Sequence, residues 1–260
     1  MSNSSLVAYT KLSPNHSGAR THTIDRITPH CVVGQCSVET LGSIFVTSTR
    51  QASCNYGIGA DGRIGMYVEE KNRSWCSSSN ANDQRAVTIE CASDTTEPYA
   101  FRDVVYQSLI KLCVDICKRN GKTKLLWLGD KDKTLNYTPK SGEMILTVHR
   151  WFANKSCPGN WMYARMGDLA AKVTAALSES TETAGADLVV YKPYKPYKAG
   201  TSPEPVYEDS DFTKQYGCLN PGESCYCMAR YGKAYAVVYG VDGHAGRYKM
   251  GYVRYSGSVS

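Results

Sequence analysis

Short apolar runs alternating with long amphipathic stretches constrain this chain more than any other feature. Runs of that kind bury both faces only in a sheet covered by helices. Arg26–Val33, Ala86–Ala92, Lys124–Leu128 and Met144–His149 read as strands. Tyr56–Gly59 and Ile64–Val68 flank Ala-Asp-Gly-Arg, a hairpin signal. Ser37 can cap a helix over Val38–Gln51, with Leu41 and Phe45 on one face. Ala100–Asn120 carries Val104, Leu109, Leu112, Cys113, Ile116 and Cys117 at helical spacing, and Gly121 follows as a natural stop. Trp161–Leu177 is a last amphipathic helix. The alternation predicts an α/β fold with a mixed central sheet flanked by helices.

The pattern changes near residue 178. Residues 1–178 hold 21 Lys and Arg against 15 Asp and Glu, whereas residues 179–260 hold 9 of each, so the whole net charge of +6 lies in the first part. Four of the ten prolines fall between Pro193 and Pro205, and twelve of the nineteen tyrosines lie at or after Tyr191. These shifts predict a first domain over 1–178, a linker over 179–205 and a second domain over 206–260. The linker opens small and polar and continues as Tyr191-Lys-Pro-Tyr-Lys-Pro-Tyr-Lys198, a three-residue repeat suited to polyproline II. It reads either as a stiff solvated spacer or as an electrostatic tether to an anionic surface. In 206–260, turns at Asn220-Pro-Gly-Glu223, Tyr231-Gly-Lys233 and Asp242–Gly246 separate short apolar runs, the spacing of a small all-β barrel. Its tyrosines either fill that barrel or stand exposed for carbohydrate or peptide contacts.

Composition narrows the class. With 42% hydrophobic residues and a mean hydropathy of −0.38, the chain is neither disordered nor collagen-like. No apolar run approaches the roughly 18–20 residues that span a bilayer, so no membrane insertion is expected. The first residues, MSNSSLVAYTKLS, lack a basic segment followed by an apolar one, so no ordinary secretory signal is expected. Eleven cysteines, an odd number, argue against a disulfide framework and for small buried thiols.

One of those thiols stands near histidines. His30 and His149 sit on or at the end of expected strands, and Cys157 follows His149 by eight residues. A zinc finger spaces its pairs more tightly, but a strand-end imidazole and a loop thiolate can share one ion. Catalytic zinc takes three protein ligands and leaves a fourth place open. On spacing alone, two readings stand: a metal set of His30, His149 and Cys157, or two core histidines and a packed thiol. His22 reads as a surface residue, Cys31 should face away from His30, and Cys225 and Cys227 fit a strand.

The residues around these positions carry more. Thr147-Val-His-Arg-Trp-Phe-Ala-Asn-Lys-Ser-Cys-Pro-Gly159 resembles the zinc motif of N-acetylmuramoyl-L-alanine amidases, which include amidase-type phage lysozymes and peptidoglycan recognition proteins. Arg26-Ile-Thr-Pro-His30, Tyr56-Gly-Ile-Gly-Ala-Asp-Gly-Arg63 and Val87-Thr-Ile-Glu90 resemble, in order, that family's first zinc strand, its second strand and hairpin, and its carboxylate-bearing strand. Ser77–Glu90 is most similar to prophage endolysins of Clostridia-type gut bacteria. Gly217–Glu223, Val237–Tyr239 and Tyr248–Val253 resemble the SH3-like wall-binding domains appended to wall hydrolases.

The resemblance implies Zn2+ held by His30, His149 and Cys157, and cleavage of the amide between N-acetylmuramic acid and L-alanine. It implies Glu90 as general base, Lys155 at the oxyanion and Tyr56 near the attacking water. The implied partner is bacterial peptidoglycan, of a Gram-positive wall rich in anionic polymers, and the implied route is cytoplasmic synthesis followed by release, as for a phage or prophage lysin. A non-catalytic peptidoglycan-binding protein and a zinc stem-peptide peptidase are the alternatives. Nucleic acid is not an expected partner, because no clustered basic stripe or binding motif accompanies the charge.

Overall fold

The computed structural model describes residues 2–184, 189–241, 244–254 and 258–259. By its contacts the chain divides into two units, Met1–Ser178 and Glu179–Ser260. The first contains β1 (Val7–Thr10), β2 (His16–Ala19), β3 (Arg26–Cys31), α1 (Val38–Phe45), β4 (Tyr56–Ile58), β5 (Ile64–Met66), β6 (Asn72–Ser74), α2 (Asn80–Arg85) and β7 (Ala86–Cys91). It continues with α3 (Asp103–Arg119), β8 (Lys124–Leu126), α4 (Lys131–Asn136), β9 (Glu143–Leu146) and α5 (Gly159–Tyr163), and α6 (Met166–Ala184) follows.

Seven of these strands form one mixed sheet in the order β1-β5-β4-β7-β3-β9-β8. β5 runs against β4, and every other adjacent pair is parallel. β3 and β7 lie at the centre, which is why RITPHC and AVTIEC read as near-continuous buried runs. Leu109, Leu112 and Ile116 of α3 and Leu169 and Val173 of α6 pack into one core with Ile27, Val87 and Ile89. Among the described residues, no helix is long and apolar enough to cross a membrane.

Several boundaries differ from expectation. The helix expected over Val38–Gln51 stops at Phe45, and a separate 3-10 turn covers Ser48–Arg50. Val46-Thr-Ser-Thr49 is β-branched or hydroxylic throughout, and such residues favour caps and turns over helix interiors. On α3 it is Val105 that is buried, while Val104 is exposed. The last helix is split into α5 and α6. The strand expected to reach His149 ends at Leu146, and His149 opens a 3-10 turn through Trp151.

Beyond the end of α6, the elements of the second unit are all strands among the described residues: β10 (Val189–Lys198), β11 (Glu204–Tyr207), β12 (Gln215–Leu219), β13 (Ser224–Tyr231), β14 (Ala234–Val241), β15 (His244–Arg254) and β16 (Ser258–Val259). They form a sheet in the order β12-β11-β15-β14-β13-β10-β16. The Tyr-Lys-Pro repeat is therefore not a polyproline spacer. It is β10, paired antiparallel with β13, and the register slips between Val190 and Lys195, where Pro193 lacks an N–H. Tyr197 is turned into the core of this unit and donates to Glu204 Oε1 at 2.6 Å. Of the segment expected to open the linker, residues 179–184 extend α6, and 185–187 lie outside the described residues, as do 242–243 of the expected turn at Asp242–Gly246.

A buried polar knot ties together three segments of the first unit. Thr28 Oγ1 and Thr147 Oγ1 are 2.8 Å apart. Asn82 donates to Thr28 Oγ1 at 3.0 Å and accepts from Thr147 Oγ1 at 3.0 Å. Its amide also donates to Ser77 Oγ at 3.2 Å, and its carbonyl accepts from Arg26 at 3.2 Å. Asn82→Leu strands these partners in a dry interior. We expect a loss of about 3 kcal/mol in urea unfolding, and a loss under 1 kcal/mol would show that the knot is not a structural centre.

Candidate metal centre

His30 is the fifth residue of β3 and Glu90 the fifth of β7, and the parallel register pairs them directly. Paired residues on adjacent strands share a face, so imidazole and carboxyl stand side by side. The polar knot fixes the third segment. Two residues beyond Thr147, the chain turns and brings the His149 ring to 5.1 Å from that of His30, edge to face.

Cys157 arrives on a loop held by its own main chain. The Arg150 N–H donates to Cys157 O at 3.1 Å, Phe152 N–H to His149 O at 2.9 Å, and Lys155 N–H to Ala153 O at 2.8 Å. The Cys157 thiol lies 3.3 Å from His30 Nδ1. One donor atom each from His30, His149 and Cys157 falls within 4.8 Å of the others, and His30, Cys76 and Glu90 form an overlapping group by the same measure.

The donor chemistry suits a borderline-soft cation. Two neutral imidazoles and one thiolate are a three-ligand zinc set with a fourth position open. Burial, and secondarily the neighbouring His149, keep His30 well below the usual imidazole range. Burial and then Lys155 lower His149. Burial, with the adjacent Cys31, pushes the Cys157 thiol well up. Both imidazoles are thus neutral with a lone pair free, and the thiol needs a cation to give up its proton. His30 Nε2 and Glu90 Oε2 are buried without a hydrogen-bond partner, two polar atoms left for something the side chains do not provide.

These groups open onto a cavity of about 790 Å³. His149, Cys157, Lys155 and Glu90 line it with Ser78 and Cys76, and its far wall includes Phe45, Arg50, Arg73 and Trp75. Lys155 is exposed at the rim of the same cavity as Cys157. Ser78 escaped the sequence reading. Its hydroxyl is 3.0 Å from His149 Nε2, and it holds φ = 61°, a left-handed conformation unusual for serine and common where function over-determines the backbone. Its only trace in the sequence is a run of three serines, Ser77-Ser-Ser79. Cys76, whose thiol donates weakly to Glu90 Oε1 at 3.8 Å, was equally hidden.

Two expectations fail. Tyr56 is not at the site. Its register partner on β7 is Ile89, so it faces the opposite side of the sheet from Glu90. Fully buried, it donates to Glu70 Oε1 at 2.7 Å and accepts from the Ser4 N–H at 2.9 Å, beside the buried Arg119–Glu70 ion pair. Cys31 was expected on the far face but lines the cavity against Cys157, because it is the last residue of β3, where regular alternation ends. His22 bonds its own neighbour's carbonyl, away from the cavity. All eleven cysteines are free thiols.

The sequence pattern described as N-acetylmuramoyl-L-alanine amidase matches residues 17–160. Among solved structures, the chain is similar to a selenomethionine derivative of AmpD, with 18% identity over 65% of this chain and 99% of that one and a TM-score of 0.47. It is similar to PlyL, with 15% identity over 64% of this chain and 95% of that one and a TM-score of 0.43. It is also similar to the Drosophila peptidoglycan recognition protein SD, with 18% identity over 58% and 85% and a TM-score of 0.43. No curated protein matches the chain.

Burial pushes the Glu90 carboxyl up from 4.5 to about 7, against a weak pull downward from the Cys76 thiol and Arg50. Between those values the folded state holds a proton that the unfolded chain releases, so Glu90 lowers stability as pH rises through that window. Glu90→Gln removes the loss. Urea unfolding of chelator-treated protein should show the variant equal to wild type at pH 4 and more stable at pH 8 by up to about 3 kcal/mol; a gap independent of pH would show that Glu90 is well solvated.

Proposed function

Because the chain belongs to the N-acetylmuramoyl-L-alanine amidase family, we propose that it is a zinc-dependent peptidoglycan hydrolase that cleaves the amide between the lactyl group of N-acetylmuramic acid and L-alanine. The observation that carries this reading is the convergence of His30, His149 and Cys157 beside Glu90, on four separate segments of the first unit. His30, His149 and Cys157 hold the ion, and Ser78 orients His149. Bound there, zinc supplies Lewis acidity that polarises the amide carbonyl and eases ionisation of water.

The chain's own groups do the rest. Glu90 takes a proton from the attacking water as its oxygen bonds to the carbonyl carbon. The same carboxyl returns that proton to the leaving nitrogen as the C–N bond breaks. A carboxyl held near pH 7 by burial suits both halves of this transfer. Lys155, a cation at the rim, stands where negative charge develops on the carbonyl oxygen. Tyr56 has no part in these steps.

The second unit we take as an SH3-like wall-binding module that raises the local concentration of substrate. Its outward tyrosines Tyr194, Tyr226 and Tyr248 support that role. Residues 1–178 are then a catalytic domain, expected to stay soluble alone and to keep hydrolysis while losing retention on walls. A Gram-positive wall and a lytic, phage-type setting fit the same reading.

Digestion of purified walls should yield new alanine amino termini and no new reducing sugar ends. Cleavage confined to the stem peptide would favour a peptidase and end the amidase claim. Cys157→Ser should lose bound zinc and hydrolysis while still sedimenting with walls. Full hydrolysis by metal-stripped Cys157→Ser protein would sink the zinc assignment. Ser78→Ala should weaken zinc affinity roughly 10–100-fold in competition with a chelator.

A further inference from the structure

Arg150 follows His149 in sequence and is bonded to the loop that carries Cys157. Its main-chain N–H donates to Cys157 O at 3.1 Å. Its side chain reaches the same loop at two further points. Nη2 donates to Ser156 O, and Nη1 donates to Asn160 Oδ1 at 3.1 Å. Ser156 O also accepts from the Gly159 N–H at 2.8 Å, which closes a turn with Cys157 and Pro158 as its middle residues. One guanidinium thus holds this turn one residue before the thiol and three residues after it. Gly159 backs the turn onto residues 98–99, where a Cβ in its place would lie 2.7 Å from Pro98 O.

Aromatic rings hold the other end. The guanidinium carbon lies 4.7 Å from the centre of the Tyr163 ring, on α5. Tyr163 meets Trp127 edge to face at 5.6 Å, and Trp127 stacks on Trp151 at 5.0 Å with the ring planes 3° apart. Trp151 ends the 3-10 turn that His149 opens. The chain of contacts from Arg150 through Tyr163 and Trp127 therefore returns to the turn it started from. Swinging the His149 turn away means breaking this ring of contacts. Arg150 Nε is buried without a hydrogen-bond partner. A buried N–H left unmet costs free energy, so the guanidinium is held in place by its other contacts.

We propose that Arg150 is a positioning residue for the metal centre. Its guanidinium ties the His149 turn to the Cys157 turn, so that imidazole and thiolate need little rearrangement to share one ion. Ordering completed in the fold does not have to be completed at the binding step. The role requires the planar fork: two donors in fixed directions and a flat face for Tyr163, which an ammonium group does not offer. Arg150 acts through His149 and Cys157 and touches neither ion nor substrate. The inference rests on the zinc reading of His30, His149 and Cys157, whichever bond the protein cuts.

The test titrates the full chain with Zn2+ against a chromophoric chelator, and with Co2+, whose thiolate-to-metal absorption reports Cys157. Arg150→Lys should bind zinc roughly 10–100-fold more weakly, the usual cost of a lost outer-shell partner. Its cobalt absorption at saturating metal should weaken or shift. Arg150→Ala should lose at least as much and regain part of it with added guanidinium ion, but not with sodium at equal concentration. Asn160→Ala, at an exposed position, serves if neither variant folds, with a several-fold loss. In Arg150→Lys/Asn160→Ala the two losses should overlap rather than add, because both remove one bond. Ile116→Val, a core change on α3, should leave zinc affinity and the cobalt absorption unchanged. Wild-type affinity in Arg150→Lys, or an equal loss in Ile116→Val, would overturn the assignment. Wild type that binds neither metal would end the zinc reading and this inference with it. Wild type that binds metal yet digests no walls would end the amidase reading alone.

Discussion

The site depends on the hydrogen-bonded knot of Thr28, Thr147, Asn82 and Ser77. Each of its chain segments reaches the donor group or the cavity within two residues: Thr28 precedes His30 by two, Thr147 precedes His149 by two, and Ser77 sits between Cys76 and Ser78. Thr28, Thr147, Asn82 and Ser77 are fully buried. In that dry setting each hydrogen bond is strong, and each broken one leaves a costly orphan. The fold therefore does not position His30 and His149 one at a time; it positions the three strands and turns that carry them as one object.

Much of this was legible in the residues. Buried runs separated by long amphipathic stretches specified a covered mixed sheet, and the motif around His149 and Cys157 picked out one thiol from eleven. What stayed hidden has physical reasons. Tyr56 went astray because neighbouring strand positions face opposite ways, and which of them meets the cavity depends on register with β7, which one strand's sequence does not contain. Ser78 and Cys76 reach the site through a backbone turn with a positive φ, for which serine gives no compositional sign. The Tyr-Lys-Pro repeat resembled a spacer because polyproline and strand conformations are neighbours in φ and ψ. What separates them is a partner strand 26 to 41 residues away, with Lys198 paired to Ser224 and Val189 to Arg230.

The two units use charge in opposite ways. In the first, burial works against charge: it lowers both imidazoles and raises the carboxyl and the thiol. A pocket tuned to uncharged forms is costly for a lone ion and favourable for a cation that brings its own compensation. In the second, the Lys and Arg of β10, β13 and β15 stay exposed, where their fields act over a Debye length and are screened by salt.

The Cys157 loop carries a consequence for inheritance. Its shape is closed by main-chain bonds from Arg150 to Cys157, Phe152 to His149 and Lys155 to Ala153. These bonds need no particular side chain, so an exposed position such as Asn154 can change without moving the thiol, whereas Phe152 is held by the core it packs against. The rim of this cavity can therefore change its chemistry while the thiol and the two imidazoles beneath it keep their places.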